Sequence, residues 1–159
     1  MKNTLKKLLT LFFILMIISP VYSQGKEFNY TNAKLSFWYP EDWLVSEHIL
    51  LLLMPKAEDL QIQFQLTDEL NLDDAVINSK NELINLFPED TIYVIKKYII
   101  NTLKVREINK TIGNENIFRL IVEAPDNKIV RIHFISEKEK AKKYGGEIQK
   151  ILKSLKPIE

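Results

Sequence analysis

The stretch ENIFRLIVEAPDNKIVRIHFIS, residues 115–136, reads as a β-hairpin whose register follows from side-chain period. Two apolar runs flank Pro125-Asp126-Asn127, all turn-forming residues, and asparagine tolerates the left-handed region. A three-residue loop sets Val122 opposite Val130, Leu120 opposite Ile132 and Phe118 opposite Phe134, so that all six share one face. A two-residue loop would set Val122 against Arg131 and mix the faces. Because a one-residue slip exchanges the faces of a strand, the pattern selects the longer loop. The opposite face then carries Arg119 directly across from His133, with Arg131 diagonal to Arg119 at about 7–8 Å.

Upstream, the same period of two recurs. Leu35, Phe37 and Tyr39 alternate up to Pro40, which has no N–H to give to a ladder, and residues 43–46 follow as a short strand. The run 49–54 is apolar throughout, as in a strand covered on both faces, and Pro55 ends it. Leu60, Ile62, Phe64 and Leu66 alternate with Gln61, Gln63 and Gln65, the signature of one core face and one polar face. A helix then starts at Asn71, a favoured N-cap, with Asp73 and Asp74 at the positive end of its dipole. Its buried stripe is Leu72, Val76, Ser79, Leu83 and Phe87. Residues 91–108 are read as two strands on their β-branched and aromatic density, against the alternative of a helix with Ile92, Ile95, Ile99 and Leu103 on one face.

After the hairpin, Ser136 with Glu139 three positions on forms a capping-box pattern, predicting a helix from Ser136. Ala141, Tyr144, Ile148, Ile151, Leu152 and Leu155 make its stripe, and Gly145-Gly146 predict a kink. Strands, helix, strands, hairpin and helix add up to an α+β chain with a central, mainly antiparallel sheet flanked by helices.

At the other end of the chain, residues 1–23 read as a secretory signal peptide. Lys2, Lys6 and Lys7 form a positive n-region, Leu8 to Ile18 an apolar h-region, and Val21 and Ser23 stand where a signal peptidase reads. The alternative is an uncleaved membrane anchor, but the apolar run falls short of the roughly 20 residues needed to cross a bilayer, and no stable membrane insertion is expected once the segment is cleaved. Removing 23 of 159 residues leaves 136, one domain over 24–159, and takes the formal charge from +1 to −2. That balance offers no basic excess to hold nucleic acid. The chain has no cysteine, which excludes disulfides, thiol catalysis, thiolate metal sites and N-terminal lipidation.

Within this frame, Phe28-Asn29-Tyr30 followed by residues 33–43, AKLSFWYPEDW, resembles the opening of PsbP-like domains: a strand, a Tyr-Pro pair, and a tryptophan three residues after the proline. Thr111-Ile112-Gly113 ahead of Ile117-Phe118-Arg119-Leu120, and the closing segment 151–157, ILKSLKP, are similar to that family as well. The resemblance implies an α/β/α sandwich in a family best known for an extrinsic subunit of photosystem II, with exported bacterial members. It carries no catalytic motif, and so implies a binding or assembly module.

The residues themselves agree. There is no Gly-x-Ser-x-Gly, phosphate-binding loop or His-Glu-x-x-His, and the two histidines, His48 and His133, lack a second histidine at ligand spacing. Asp68, Glu69, Asp73 and Asp74 lack the glycine and alternation of a calcium loop. No cofactor or metal is implied. Two candidate recognition surfaces remain: a cationic face of Arg119, Arg131 and His133 suited to a carboxylate or phosphate, and an aromatic edge at Trp38 and Trp43. Against them stand pairing of the arginines with nearby acids and burial of the aromatics in the core.

The function expected is an exported, periplasmic or extracellular binding module for an envelope or extracellular protein partner or a small ligand; the alternative is an acid/base hydrolase using carboxylates dispersed in sequence. Export is checked by mass spectrometry of the secreted form, which should begin at Gln24. Retention of residues 1–23 in a membrane fraction would contradict it.

Overall fold

The computed structural model describes residues 24–47, 50–89 and 92–158; the segment 1–23, His48 and Ile49, Asp90 and Thr91, and Glu159 lie outside them. The strands are β1 (Gly25–Tyr30), β2 (Leu35–Pro40), β3 (Leu44–Glu47), β4 (Leu51–Met54), β5 (Ile62–Thr67), β6 (Ile95–Ile100), β7 (Leu103–Ile112), β8 (Glu115–Glu123), β9 (Ile129–Glu137) and β10 (Lys156–Pro157). The helices are α1 (Leu72–Leu86), α2 (Lys138–Lys143) and α3 (Gly145–Ser154). Seven strands form one antiparallel sheet in the order β3-β4-β5-β9-β8-β7-β6, and β1-β2-β10 form a second, small sheet. The central, mainly antiparallel sheet expected from the sequence is the seven-stranded one, and the small sheet stands apart because Pro40 ends β2 and the chain turns at Trp43 before β3 begins.

At the centre lies the hairpin in its expected register: Val122 pairs with Val130, Leu120 with Ile132 and Phe118 with Phe134. The Ala124 N–H donates to the Lys128 carbonyl at 2.8 Å and closes a three-residue loop in which both Asp126 and Asn127 have positive φ. All six apolar residues are buried, and the Phe118 and Phe134 rings stack at 5.2 Å. They meet the small sheet (Leu35, Phe37) and α3 (Ile148, Ile151, Leu152) in the main core. The strand pair 91–108 is also present, as β6 and β7. Asn101 and Thr102 form its two-residue turn in the left-handed region, and the Asn101 amide donates to the Lys153 and Leu155 carbonyls at the end of α3.

On the other face, α1 packs against Ile121, Ile129, Ile117 and Ile108, so the sheet lies between a helix and a mixed layer of helix and small sheet. The Asn71 cap is as read from sequence: its side-chain oxygen accepts from the Asp74 N–H at 2.9 Å. Leu66 departs from its alternating pattern, being 38% exposed at the end of β5.

The Ser136 capping box does not form. β9 stays paired to β8 as far as Glu115–Glu137, so Ser136 remains in the ladder, and the first N–H of α2, on Lys138, donates to the Asn114 carbonyl at 2.8 Å. The predicted kink is a full break at Tyr144, after which α3 starts on Gly145. Two strands, β1 and β10, are new relative to the sequence reading. β1 carries little apolar pattern, yet Gly25 is required there because a Cβ would come within 2.1 Å of the Trp38 ring.

Leu120 is fully buried at the centre of the sheet. Leu120→Ala should lower stability by about 2–5 kcal/mol, read as a fall in urea midpoint at unchanged slope. A near-neutral result would contradict this packing.

Candidate functional site

Three residues predicted from sequence to share a face do share it: Arg119 pairs with His133, Ile121 with Arg131, and on the far side of β9 Gln65 pairs with Arg131 and Gln63 with His133. The face is not open, however. Arg119 and Arg131 are each 5% exposed, under α1. The expectation of an exposed cationic surface is corrected accordingly, and the reason lies in the buried stripe of the helix. Ser79 is small enough for the Arg119 guanidinium to reach its carbonyl at 3.1 Å, and Glu82, one turn on, supplies the countercharge.

Glu82 is the centre of this arrangement. Its Oε2 accepts from Arg119 Nη1 at 2.7 Å and from Arg131 Nη1 at 2.9 Å, and its Oε1 accepts from Arg131 at 3.0 Å. The other terminal nitrogen of Arg131, Nη2, donates to Glu69 Oε1 at 3.3 Å, and the Asn78 amide donates to the same oxygen at 3.3 Å. Sequence reading missed Glu82. The signal was available: a sheet face with two arginines needs a carboxylate, and Glu82 follows Ser79 by one helical turn on the stripe that covers that face.

The titration of the cluster follows from these contacts. Burial pushes the Glu82 carboxyl up, but hydrogen bonds and charge from Arg119 and Arg131 outweigh it and hold it below the usual glutamate range. Burial likewise raises Glu69, and its hydrogen bonds and the Arg131 charge bring it below that range. His133 moves down to about 4, first through burial and then through the positive charges of Arg119 and Arg131.

Beside this network runs an open cleft of about 590 Å³ between α1 and the end of β5. Gln65, Thr67, Glu69 and Arg131 line it with Glu82 and Asn78, and Leu66, Leu70 and Ile77 add apolar surface. Leu70 is 86% and Ile77 56% exposed.

The aromatic edge does not assemble as one platform. Trp43 is 6% exposed and packs edge-on to Tyr144 at 5.8 Å, the core-packing alternative. Trp38 is half-buried beneath Lys150, whose Nζ lies 3.6 Å from the ring centroid. Of the acidic residues near the α1 start, Glu69 binds Arg131 and Asp74 accepts from the Asn71 amide at 2.7 Å. Among the described residues no group of three or more potential ligands is placed to hold a metal ion.

The sequence matches no known protein family, and no curated protein matches it either. Solved structures do. The solution structure of cyanobacterial PsbP (CyanoP) from Synechocystis aligns with a TM-score of 0.59 over 86% of this chain and 94% of that one, at 7% identity. The fold is PsbP-like. A crystal structure from Bacteroides thetaiotaomicron aligns with a TM-score of 0.55 at 17% identity, over 84% of this chain and 48% of its own length. At these identities the PsbP-like fold is what is shared, and the Arg119–Glu82–Arg131 cluster is argued from this chain alone.

A pH titration of stability checks the cluster. Unfolded His133 takes up a proton near pH 6.5 and the folded side chain only near 4, so stability should fall as pH drops through that interval. The lowered Glu69 and Glu82 contribute stability above about pH 4.3 that is lost as pH falls through their folded values. His133→Gln should flatten the upper interval alone. Glu82→Gln, which leaves two buried guanidiniums short of a carboxylate, should cost about 1–3 kcal/mol at pH 7. Equal slopes for wild type and His133→Gln between pH 6.5 and 4 would contradict the assignment.

Proposed function

We propose that residues 24–159 form an exported, non-catalytic binding or assembly domain that engages a protein partner or small ligand through the α1–β5 cleft. The observation that carries this reading is the state of the carboxylates. An acid/base hydrolase needs one carboxyl kept protonated and a second kept free. Here Glu69 and Glu82 are both held ionised, and both are occupied by guanidiniums. Arranged this way, they fasten the helix to the sheet and give the cleft a rigid wall, which suits recognition.

Export is supported by the n-, h- and c-region pattern of residues 1–23, and placement outside the cytoplasm, in the periplasm or beyond the cell, follows from it. No helix among the described residues is long and apolar enough to cross a membrane. The PsbP-like fold supports assembly with another macromolecule over chemistry, since function must be argued from a site and this site offers contact surface.

The test is a comparison of two photo-crosslinking positions in protein exposed to envelope extract. A crosslinking residue at Ile77, on the cleft, should give a discrete adduct, and one at Ile99, exposed on β6, should not. Adducts from Ile99 alone, or from both positions equally, would contradict recognition through the cleft.

A further inference from the structure

The charge around the cleft decides which ligand it can take. Arg131 lines it and Arg119 lies behind it, but their terminal nitrogens bind Glu82, Glu69 and the Ser79 carbonyl, and each side chain is only 6% exposed. Two guanidiniums and two carboxylates cancel. What remains along the cleft is Asp68 and Asp74, and Asp68 makes no ion pair among the described residues. The positive end of the α1 dipole does not reverse this sign, because Asn71 caps the Asp74 N–H and Asp73 and Asp74 stand in the first turn. The net field at the opening is negative, the reverse of the anion-binding surface expected from the hairpin alone.

Apolar surface accompanies that field. Leu70 and Ile77 stand exposed on the same cleft, with Leu66 beside them. Small ligands are held by enclosure of most of their surface, and this cleft is more open than enclosed. An open trough with acidic and apolar walls fits a chain lying across it.

Resting on the binding role proposed above, we infer that the α1–β5 cleft receives a lysine or arginine side chain of an extended polypeptide partner, with a neighbouring apolar residue of that partner against Leu70 and Ile77. Charge complementarity with Asp68 and Asp74 selects the cation, and the exposed leucine and isoleucine select the apolar neighbour.

The test uses the mature chain and fluorescence anisotropy of a labelled peptide in which lysine alternates with leucine. Against wild type, replacing its lysines by glutamate should weaken binding by about tenfold or more, and replacing its leucines by serine should weaken it by a similar factor. Raising salt from about 0.05 to 0.5 M should also weaken binding several-fold, because the contacts are solvent-exposed. Asp68→Asn and Leu70→Ser alter exposed side chains and should each weaken binding about three- to tenfold, with Ile99→Ser unchanged.

No binding of the lysine-leucine peptide, equal binding of its glutamate counterpart, or wild-type affinity in Asp68→Asn and Leu70→Ser would each overturn the inference. Equal affinity for a free amphiphilic amine would overturn the polypeptide assignment. Crosslinking from Ile77 separates the two levels: if it succeeds where the cationic peptide fails, the ligand class is wrong and the cleft stands. If it fails as well, both fall.

Discussion

One carboxylate, that of Glu82, joins α1 to two arginines of the seven-stranded sheet, Arg119 and Arg131, at hydrogen-bond distance. Burying two guanidiniums beside each other is costly, and their repulsion must be balanced within hydrogen-bond distance. Glu82 balances it from the helix and Glu69 from the segment after β5, so the pairing sets where α1 lies along the sheet as well as adding to its stability. The isoleucines that α1 covers, Ile121, Ile129, Ile117 and Ile108, are close in shape and apolar. Such a surface tolerates sliding, whereas an oxygen shared between two arginines does not. Registry of the helix is thus a job for the polar cluster, with apolar burial supplying most of the driving force.

Periodicity explains which parts of this fold were legible in the sequence. The β8–β9 register was readable because both strands carry apolar residues at every second position and only one loop length keeps them together. The α1 cap was readable from Asn71 and the two aspartates after it. Signals that compete with tertiary structure misled. Ser136 and Glu139 make a good capping box in isolation, but each further β8–β9 ladder pair satisfies backbone groups, and the helix waits until that pairing ends at Glu137. β1 was missed because Gly25–Tyr30 is largely exposed, so its partner β2 determines its state and its own pattern says little.

The site was half legible for a related reason. Strand register fixes which side chains share a face, and it brought Arg119, Arg131 and His133 together as expected. Register is silent about what covers that face. The cover comes from a helix some 40 residues earlier, and the sign of the surface depends on whether that helix offers a carboxylate. With Glu82 from the helix and Glu69 beside it, the two arginines become part of a neutral network, and Asp68 and Asp74 stand exposed outside it.

The position of the cleft follows from the same asymmetry. α1 lies over β8 and its neighbours, while on the same face the β4–β5 side of the sheet has no helix above it among the described residues, and carries Gln61, Gln63 and Gln65 with Leu52 and Met54. A step in height must occur where helix cover ends, and it falls at β5 and β9, beside Gln65 and Arg131. Edges of this kind are where a layered fold presents both apolar helix surface and polar sheet surface to one ligand. Glu69 and Glu82 pair with Arg119 and Arg131 at this step, so that two charges of each sign cancel there, and the exposed residues Asp68, Leu70 and Ile77 lie outside that network.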